Sequence, residues 1–324
     1  MEKIKQLFQN YQEQHNFSTL EPKALYEPLD YILSLKGKQI RPTLSLLACQ
    51  LFEGNTEKAL PVAFAVEVFH NFSLMHDDIM DASPLRRGMP SVHEKYGNNT
   101  AILAGDVMLL QAYEQLYKLD SKLFLKLFPI FNRVAIGVCE GQQLDVDYEE
   151  RMDVTLEEYI HMIELKTSIL LYGALKMGAL VGNASEEEAE LIGNYGKNLG
   201  IAFQIKDDWL DTFGSQAKVG KRIGGDIVQN KKTALVIKAL ELADEATKAE
   251  LVELLSKPTP IEEENIKIEK VTKIFKDLHI PGAMQDLMDV YCRKALDNLE
   301  GLSLSEAKKQ QLRDFLNQLM NREY

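Results

Sequence analysis

The chain has 324 residues, 45% of them hydrophobic, and a net charge of −12. That length and apolar content supply a sizeable core, and the acidic balance excludes a general nucleic-acid binder, which needs clustered Lys and Arg to neutralise phosphates. Three widely spaced cysteines, Cys49, Cys139 and Cys292, form neither a metal-ligand spacing nor a disulfide framework, so a cytoplasmic setting is expected.

The opening segment, MEKIKQLFQNYQEQHNF, lacks the apolar run of a signal peptide. From Pro42 onward Leu44, Leu47, Ala48 and Leu51 recur at three- and four-residue spacing, the period of a helical face. Glu67 breaks the next apolar run, and Lys176 a later one, before either is long enough to span a bilayer. Leu109, Ala112, Tyr113 and Leu116 continue the helical period. A hydroxyl residue followed three positions on by glutamate predicts helix starts at Thr155 with Glu158, Ser185 with Glu188, Thr259 with Glu262, and Ser303 with Glu306. The stretch from Pro258 to Pro260 reads as a loop entering a helix. The chain has no Asn-Gly or Asp-Gly turn, no long alternating β-branched run and no low-complexity linker. These signals predict an all-α protein with a single domain over residues 1–324.

Two segments interrupt the apolar pattern in the same way. SLMHDDIMD places Asp77, Asp78 and Asp81, and FQIKDDWLD places Asp207, Asp208 and Asp211, both at i, i+1 and i+4. On a helix, i and i+4 share a face about 6 Å apart along the axis. Like charges so placed destabilise an isolated helix by about 0.2–0.5 kcal/mol, a cost that a cation between them removes. Oxygen ligands suit Mg²⁺, which a few carboxylates hold together with substrate phosphates. Either triplet alone reads equally well as a solvated acidic face. Both have basic companions, however: Arg86 and Arg87 follow the first, and Lys221 and Lys231 the second, within reach of phosphate oxygens. Acid beside base, twice, points to metal and phosphate.

In chain order GKQIRP, DDIMD with RRG, GQQLD, KTS and FQIKDDWLD resemble the motifs of the trans-isoprenyl diphosphate synthases, the polyprenyl synthetase family. The resemblance implies a many-helix bundle around a deep central cavity, the isoprenoid synthase fold, and a homodimer. It implies that Lys38, Arg41, His70 and Arg87 hold the diphosphate of isopentenyl diphosphate. Arg86, Lys166, Thr167, Gln204, Lys221 and Lys231 are implied around the allylic diphosphate. Asp77, Asp81 and Asp207 are then the foremost Mg²⁺ ligands, with Asp78, Asp208 and Asp211 as further ligands or as acceptors behind them. Catalysis is implied at Asp77, Asp81, Arg86, Lys166, Thr167, Gln204, Asp207 and Lys221. Two positions depart from the family pattern: Arg222 stands where many members carry proline, and Asn230 where glycine usually precedes the lysine corresponding to Lys231.

The implied reaction is head-to-tail condensation of isopentenyl diphosphate with an allylic diphosphate such as dimethylallyl, geranyl or farnesyl diphosphate. Product length is expected to depend on the helix face below Asp77. Ser73, four residues before it, is small, and Phe69, eight before it, lies about 12 Å down the same face, with Phe72 farther round. That arrangement predicts a short product, geranylgeranyl or farnesyl diphosphate, and more readily the former; the plain alternative makes both phenylalanines ordinary core. A longer-chain synthase for quinone side chains and a non-catalytic subunit of a heteromeric synthase are the competing functions. The completeness of both aspartate motifs argues against the second.

Overall fold

The computed structural model describes residues 1–35, 37–214, 223–256 and 258–321. Its residues gather into two compact units, Met1–Ile136 with Leu170–Gly193 and Leu302–Leu304, and Gly137–Ile169 with Asn194–Gly301 and Ser305–Tyr324. The all-α expectation holds: among the described residues the only strands are two of two residues each. No described helix is long and apolar enough to cross a membrane.

The first unit contains α1 (Glu2–Gln14), α2 (Lys23–Ser34), α3 (Ile40–Leu51), α4 (Thr56–Met80), α5 (Val92–Tyr96) and α6 (Asn98–Tyr117). It also takes in parts of α7 (Ser121–Glu149), α9 (Ile169–Val181) and α10 (Glu186–Phe213). From Val62 to Phe69 every residue of α4 is buried, as expected of a helix with no polar stripe packed on several sides. Both α3 and α6 pack against it. At Gly105 of α6 a Cβ would collide with the His76 imidazole, so glycine sets how closely the two helices approach. Asn55 caps α4 by accepting from the Glu57 amide.

Beyond α4 the strands β1 (Leu85–Arg86) and β2 (Met89–Pro90) pair antiparallel, Leu85 opposite Pro90 and Arg86 opposite Met89. Their connection is Arg87-Gly88, with φ of 55° and 78°. Positive φ at both positions is what a type I′ hairpin turn requires; glycine is usual at the second, and arginine at the first is an unusual choice that gave no turn signal in the sequence.

The second unit holds α8 (Leu156–Ile163), a π-helical turn (Glu164–Ser168), α11 (Gly225–Val228), α12 (Ala234–Leu242), α13 (Glu245–Leu255), α14 (Glu264–Asp277), α15 (Ile280–Glu300) and α16 (Glu306–Met320), with the remainder of α7 and α10. Tyr159, Ile205, Val236, Phe275 and Met288 belong to its core. Two of the four expected capping boxes form, at Thr155 with Glu158 and at Ser185 with Glu188. The other two do not. The Thr259 hydroxyl accepts from the Lys267 ammonium instead, and α14 begins only at Glu264. Ser305, not Ser303, precedes α16, which makes Glu306 the first helical residue.

Candidate active site

Within the first unit, the GKQIRP segment leads into α3 through Gln39 in the left-handed conformation, with Arg41 and Pro42 in the first turn. The Arg41 guanidinium donates to His70 Nε2 on α4 at 3.1 Å. Burial and the positive charges of Arg41 and Arg87 push the His70 pKa well down, so the imidazole is neutral and its Nε2 accepts. Arg87 donates to the Leu35 carbonyl, and a Cβ at Gly37 would meet its guanidinium at 2.6 Å. Glycine at 37 therefore leaves room for Arg87 beside the loop that carries the exposed Lys38. Sequence reasoning missed Glu67, one turn before His70. It is 4% exposed, accepts from the Asn71 amide, and its carboxyl is pushed up by burial while Arg87 and Arg41 pull it down. Its signal was the one charge inside AVEVFHNF. Four expected residues, Lys38, Arg41, His70 and Arg87, thus belong to one unit, with three of them tied together by contacts or charge.

The first aspartate triplet ends α4. Asp81 follows the last helical residue, and its amide still donates to the Asp77 carbonyl at 2.8 Å, so the two stay one above the other. Asp78 faces elsewhere: it is 1% exposed and accepts from both Nε and Nη2 of Arg86. Arg86 also reaches to 3.9 Å from the Asp77 carboxylate. The fork-to-carboxylate geometry fixes the arginine on β1 and satisfies a carboxylate that burial would otherwise penalise.

In the second unit the KTS element lies in the π-helical turn, where Lys166 and Thr167 are held by unusual backbone spacing: the Ile169 amide donates to the Glu164 carbonyl. Such single π turns inside α-helices occur frequently at functional sites. Two glycines let neighbouring helices press on it. A Cβ at Gly141 of α7 would collide with the Lys166 backbone, and one at Gly200 of α10 would lie 2.8 Å from Ser168 Oγ. Asp145, four residues beyond Gly141, takes the Lys166 ammonium at 2.5 Å. GQQLD therefore does two jobs, clearing space for the turn with its glycine and holding the lysine with its aspartate. Replacing Gly141 with alanine is expected to displace Lys166 and Thr167 and to lower kcat/KM by about 10–100-fold, as loss of supporting contacts around a site does. Steady-state kinetics with circular dichroism on the same sample check it; full activity would show that the turn tolerates the shift.

A cavity of about 90 Å³ opens beside that turn, lined by Lys166, Thr167, Gln204, Asp208, Asp226 and Lys231 among others. Thr167 donates to the Gln204 carbonyl oxygen at 3.1 Å, and the Gln204 amide donates to Asp208 at 2.9 Å. The Tyr159 hydroxyl donates to the other Asp208 oxygen. This chain of donors fixes the glutamine amide with its nitrogen toward Asp208. Tyr159 and Asp226 were not among the expected residues: Tyr159 follows the capping-box glutamate within an amphipathic helix start, and Asp226 follows two glycines in a segment that reads as a turn.

The second triplet lies wholly in α10. Asp207 is half-buried, Asp208 buried, and Asp211 accepts from the Asp226 amide at 3.0 Å. In both triplets the middle aspartate is therefore turned to protein partners, Arg86 in one and Tyr159 with Gln204 in the other. Lys221 and Arg222 lie outside the described residues. Burial first, and the Asp226 charge second, raise the Asp208 and Asp211 carboxyls. That crowding of negative charge fits a divalent cation, which relieves it. Among the described residues no three acidic, histidine or cysteine side chains form a closed metal cage.

Below Asp77 on α4, Ser73 donates to the His70 carbonyl at 2.8 Å and leaves a small side chain on that face. Phe69 is fully buried, 5.4 Å between ring centres from Phe72 and 5.7 Å from Phe131 in an edge-to-face contact.

The polyprenyl synthetase family model matches residues 22–275. The short chain isoprenyl diphosphate synthase of Methanothermobacter thermautotrophicus is 37% identical over 295 residues, covering 91% of this chain and 89% of the relative. A crystal structure of a geranylgeranyl pyrophosphate synthase superposes with a TM-score of 0.95 at 44% identity, covering 100% of this chain and 99% of the other. The geranylgeranyl pyrophosphate synthase of Corynebacterium glutamicum, complexed with isoprenyl diphosphate and magnesium, superposes with a TM-score of 0.85 at 25% identity over 98% and 96% of the two chains. Motif order, helical architecture and these likenesses agree: the chain belongs to the polyprenyl synthetase family of prenyltransferases.

Proposed function

We propose that the protein is a Mg²⁺-dependent short-chain prenyl diphosphate synthase that joins isopentenyl diphosphate to an allylic diphosphate and releases geranylgeranyl diphosphate as its main product. The observation that carries this reading is the cavity in which Lys166 and Lys231 stand beside the ordered Thr167, Gln204 and Asp208 chain. Cations there take the leaving diphosphate, and oriented oxygen dipoles take the developing positive charge.

The chemistry needs no protein nucleophile. The allylic C–O bond breaks, its electron pair leaves with diphosphate, and the alkene of isopentenyl diphosphate attacks the allylic cation. A proton then passes from the isopentenyl carbon chain to the departed diphosphate, restoring a double bond. Mg²⁺, when bound, would supply electrostatic stabilisation of the diphosphate charge, and the residues that would hold it are Asp77 and Asp81 in the first unit and Asp207, with Asp211, in the second. Asp78 acts by holding Arg86, and Asp208 by holding Gln204. Lys166, Lys231, Lys221 and Arg86 are the proposed binders of the allylic diphosphate, and Lys38, Arg41, His70 and Arg87 those of the isopentenyl diphosphate group. Neutral His70 donates through Nδ1 while its Nε2 accepts from Arg41. The arginine beside it supplies the charge. Incubation with Mg²⁺ and both substrates, with diphosphate release followed, tests the reading; absence of turnover with every allylic starter overturns it.

A homodimer in the cytoplasm completes the proposal. Leu103, Leu110 and Tyr117 recur every seven residues on α6 and are 57%, 64% and 73% exposed; Leu125 on α7 is 72% exposed. A stripe of large apolar residues at that spacing is suited to packing against a second helix pair. Leu110→Asp is expected to convert the dimer to a 36.8 kDa monomer in sedimentation velocity. A variant sedimenting like the unaltered protein would place the interface elsewhere.

A further inference from the structure

Asn230, where the resembling family usually has glycine, takes φ of 60°. Glycine enters that conformation without penalty, and asparagine pays less than most residues but still pays. The residue is gripped at two points. Lys267 of α14 donates to its side-chain carbonyl, and Lys232 donates to its backbone carbonyl at 2.8 Å and to that of Glu149 at 3.0 Å. Lys267 is itself only 4% exposed, and its other acceptor is the Thr259 hydroxyl at 2.9 Å. An ammonium so little exposed and hydrogen-bonded to neutral oxygens is a costly arrangement: burial first and the Lys232 charge second pull its pKa down, against the Glu264 charge. The next residue in the chain is Lys231, whose amide donates to the Asp226 carbonyl and whose side chain lines the cavity.

We propose that Lys267 is a positioning residue for Lys231: by holding the Asn230 side chain it keeps the left-handed turn that aims Lys231 at the allylic diphosphate. The inference rests on the proposed role of Lys231. Where glycine occupies the turn no brace is needed; here asparagine and a buried lysine form a linked pair.

The test is a double-mutant cycle on the full chain, reading KM for the allylic diphosphate and kcat separately. Lys267→Met is expected to raise that KM about tenfold, as loss of an outer support does, with kcat within about twofold and KM for isopentenyl diphosphate unmoved. Asn230→Gly keeps a near-normal KM, and in its background Lys267→Met changes KM less than about twofold. Asn230→Ala, which leaves Lys267 in place but removes its acceptor, raises KM like Lys267→Met and keeps the test open should that variant fold poorly. Equal effects of Lys267→Met in both backgrounds, or an unchanged KM in folded Lys267→Met and Asn230→Ala, overturn the inference. Lys231→Ala separates it from the underlying reading: an unchanged allylic KM there overturns the diphosphate role itself.

Discussion

Asp77→Ala is expected to lower kcat by about 10²–10³-fold, the usual consequence of removing one preorganised electrostatic contact from a charged transition state. Asp77 and Asp81 lie one above the other at the end of α4, and Asp78 is committed to Arg86. The three aspartates should therefore separate by phenotype. Losing Asp77 weakens metal-dependent turnover, so its half-saturating Mg²⁺ concentration rises along with the fall in kcat. Asp78→Ala acts through Arg86 and leaves an arginine charge without its buried partner, which costs stability of about 3–5 kcal/mol for a buried pair. Because the two residues act as a unit, Asp78→Ala with Arg86→Ala should be little worse in kcat/KM than either alone. Steady-state kinetics across a Mg²⁺ series, with thermal melts, distinguish these outcomes. An additive double variant would detach Asp78 from Arg86, and an Asp77→Ala enzyme with unchanged kcat would remove Asp77 from the metal site.

Replacing Phe69 and Phe72 together with alanine is expected to shift the product by at least one five-carbon unit. On the proposed reading the small Ser73 leaves room below Asp77, and Phe69, about 12 Å down that face, is the side chain that would stop a growing chain. Its ring is held by Phe72 and Phe131, so it has nowhere to swing. The same packing makes the substitution expensive, since Phe→Ala in a core costs about 3–5 kcal/mol. Phe72→Ala alone, at the less buried ring, gives a milder version of the same shift. Product sizing by mass spectrometry decides between floor and core. A lower melting temperature with an unchanged product distribution makes both phenylalanines core residues only.

Most of the fold, and the motifs that make up much of the candidate site, were legible in the sequence, for identifiable reasons. Helices on a strong three-and-four period, such as α3 and α6, follow from apolar spacing alone. The aspartate triplets were conspicuous because charge at i and i+4 contradicts an apolar helix, and their basic companions gave them a chemical meaning. What stayed hidden depends on tertiary contact. Glu67 reads as a blemish in an apolar run until Arg41 and Arg87 are brought near it. Tyr159 reads as core until its hydroxyl meets Asp208. The π-helical turn leaves no periodicity of its own over five residues, and Gly141 acquires its reason only from the backbone pressed against it. Arg87-Gly88 forms a hairpin with arginine where asparagine, aspartate or glycine is usual, and the arginine side chain is held by the Leu35 carbonyl, a contact far along the chain. At Thr259 the hydroxyl found a lysine before it found a helix amide, so the local signal lost to a long-range partner.

The most direct test of the central claim is the product formed by the purified protein with Mg²⁺, isopentenyl diphosphate and, in separate reactions, dimethylallyl, geranyl or farnesyl diphosphate, sized by mass spectrometry. The expected result is Mg²⁺-dependent accumulation of geranylgeranyl diphosphate from each starter that is accepted. No prenyl product from any starter, with the protein folded and Mg²⁺ saturating, would contradict it.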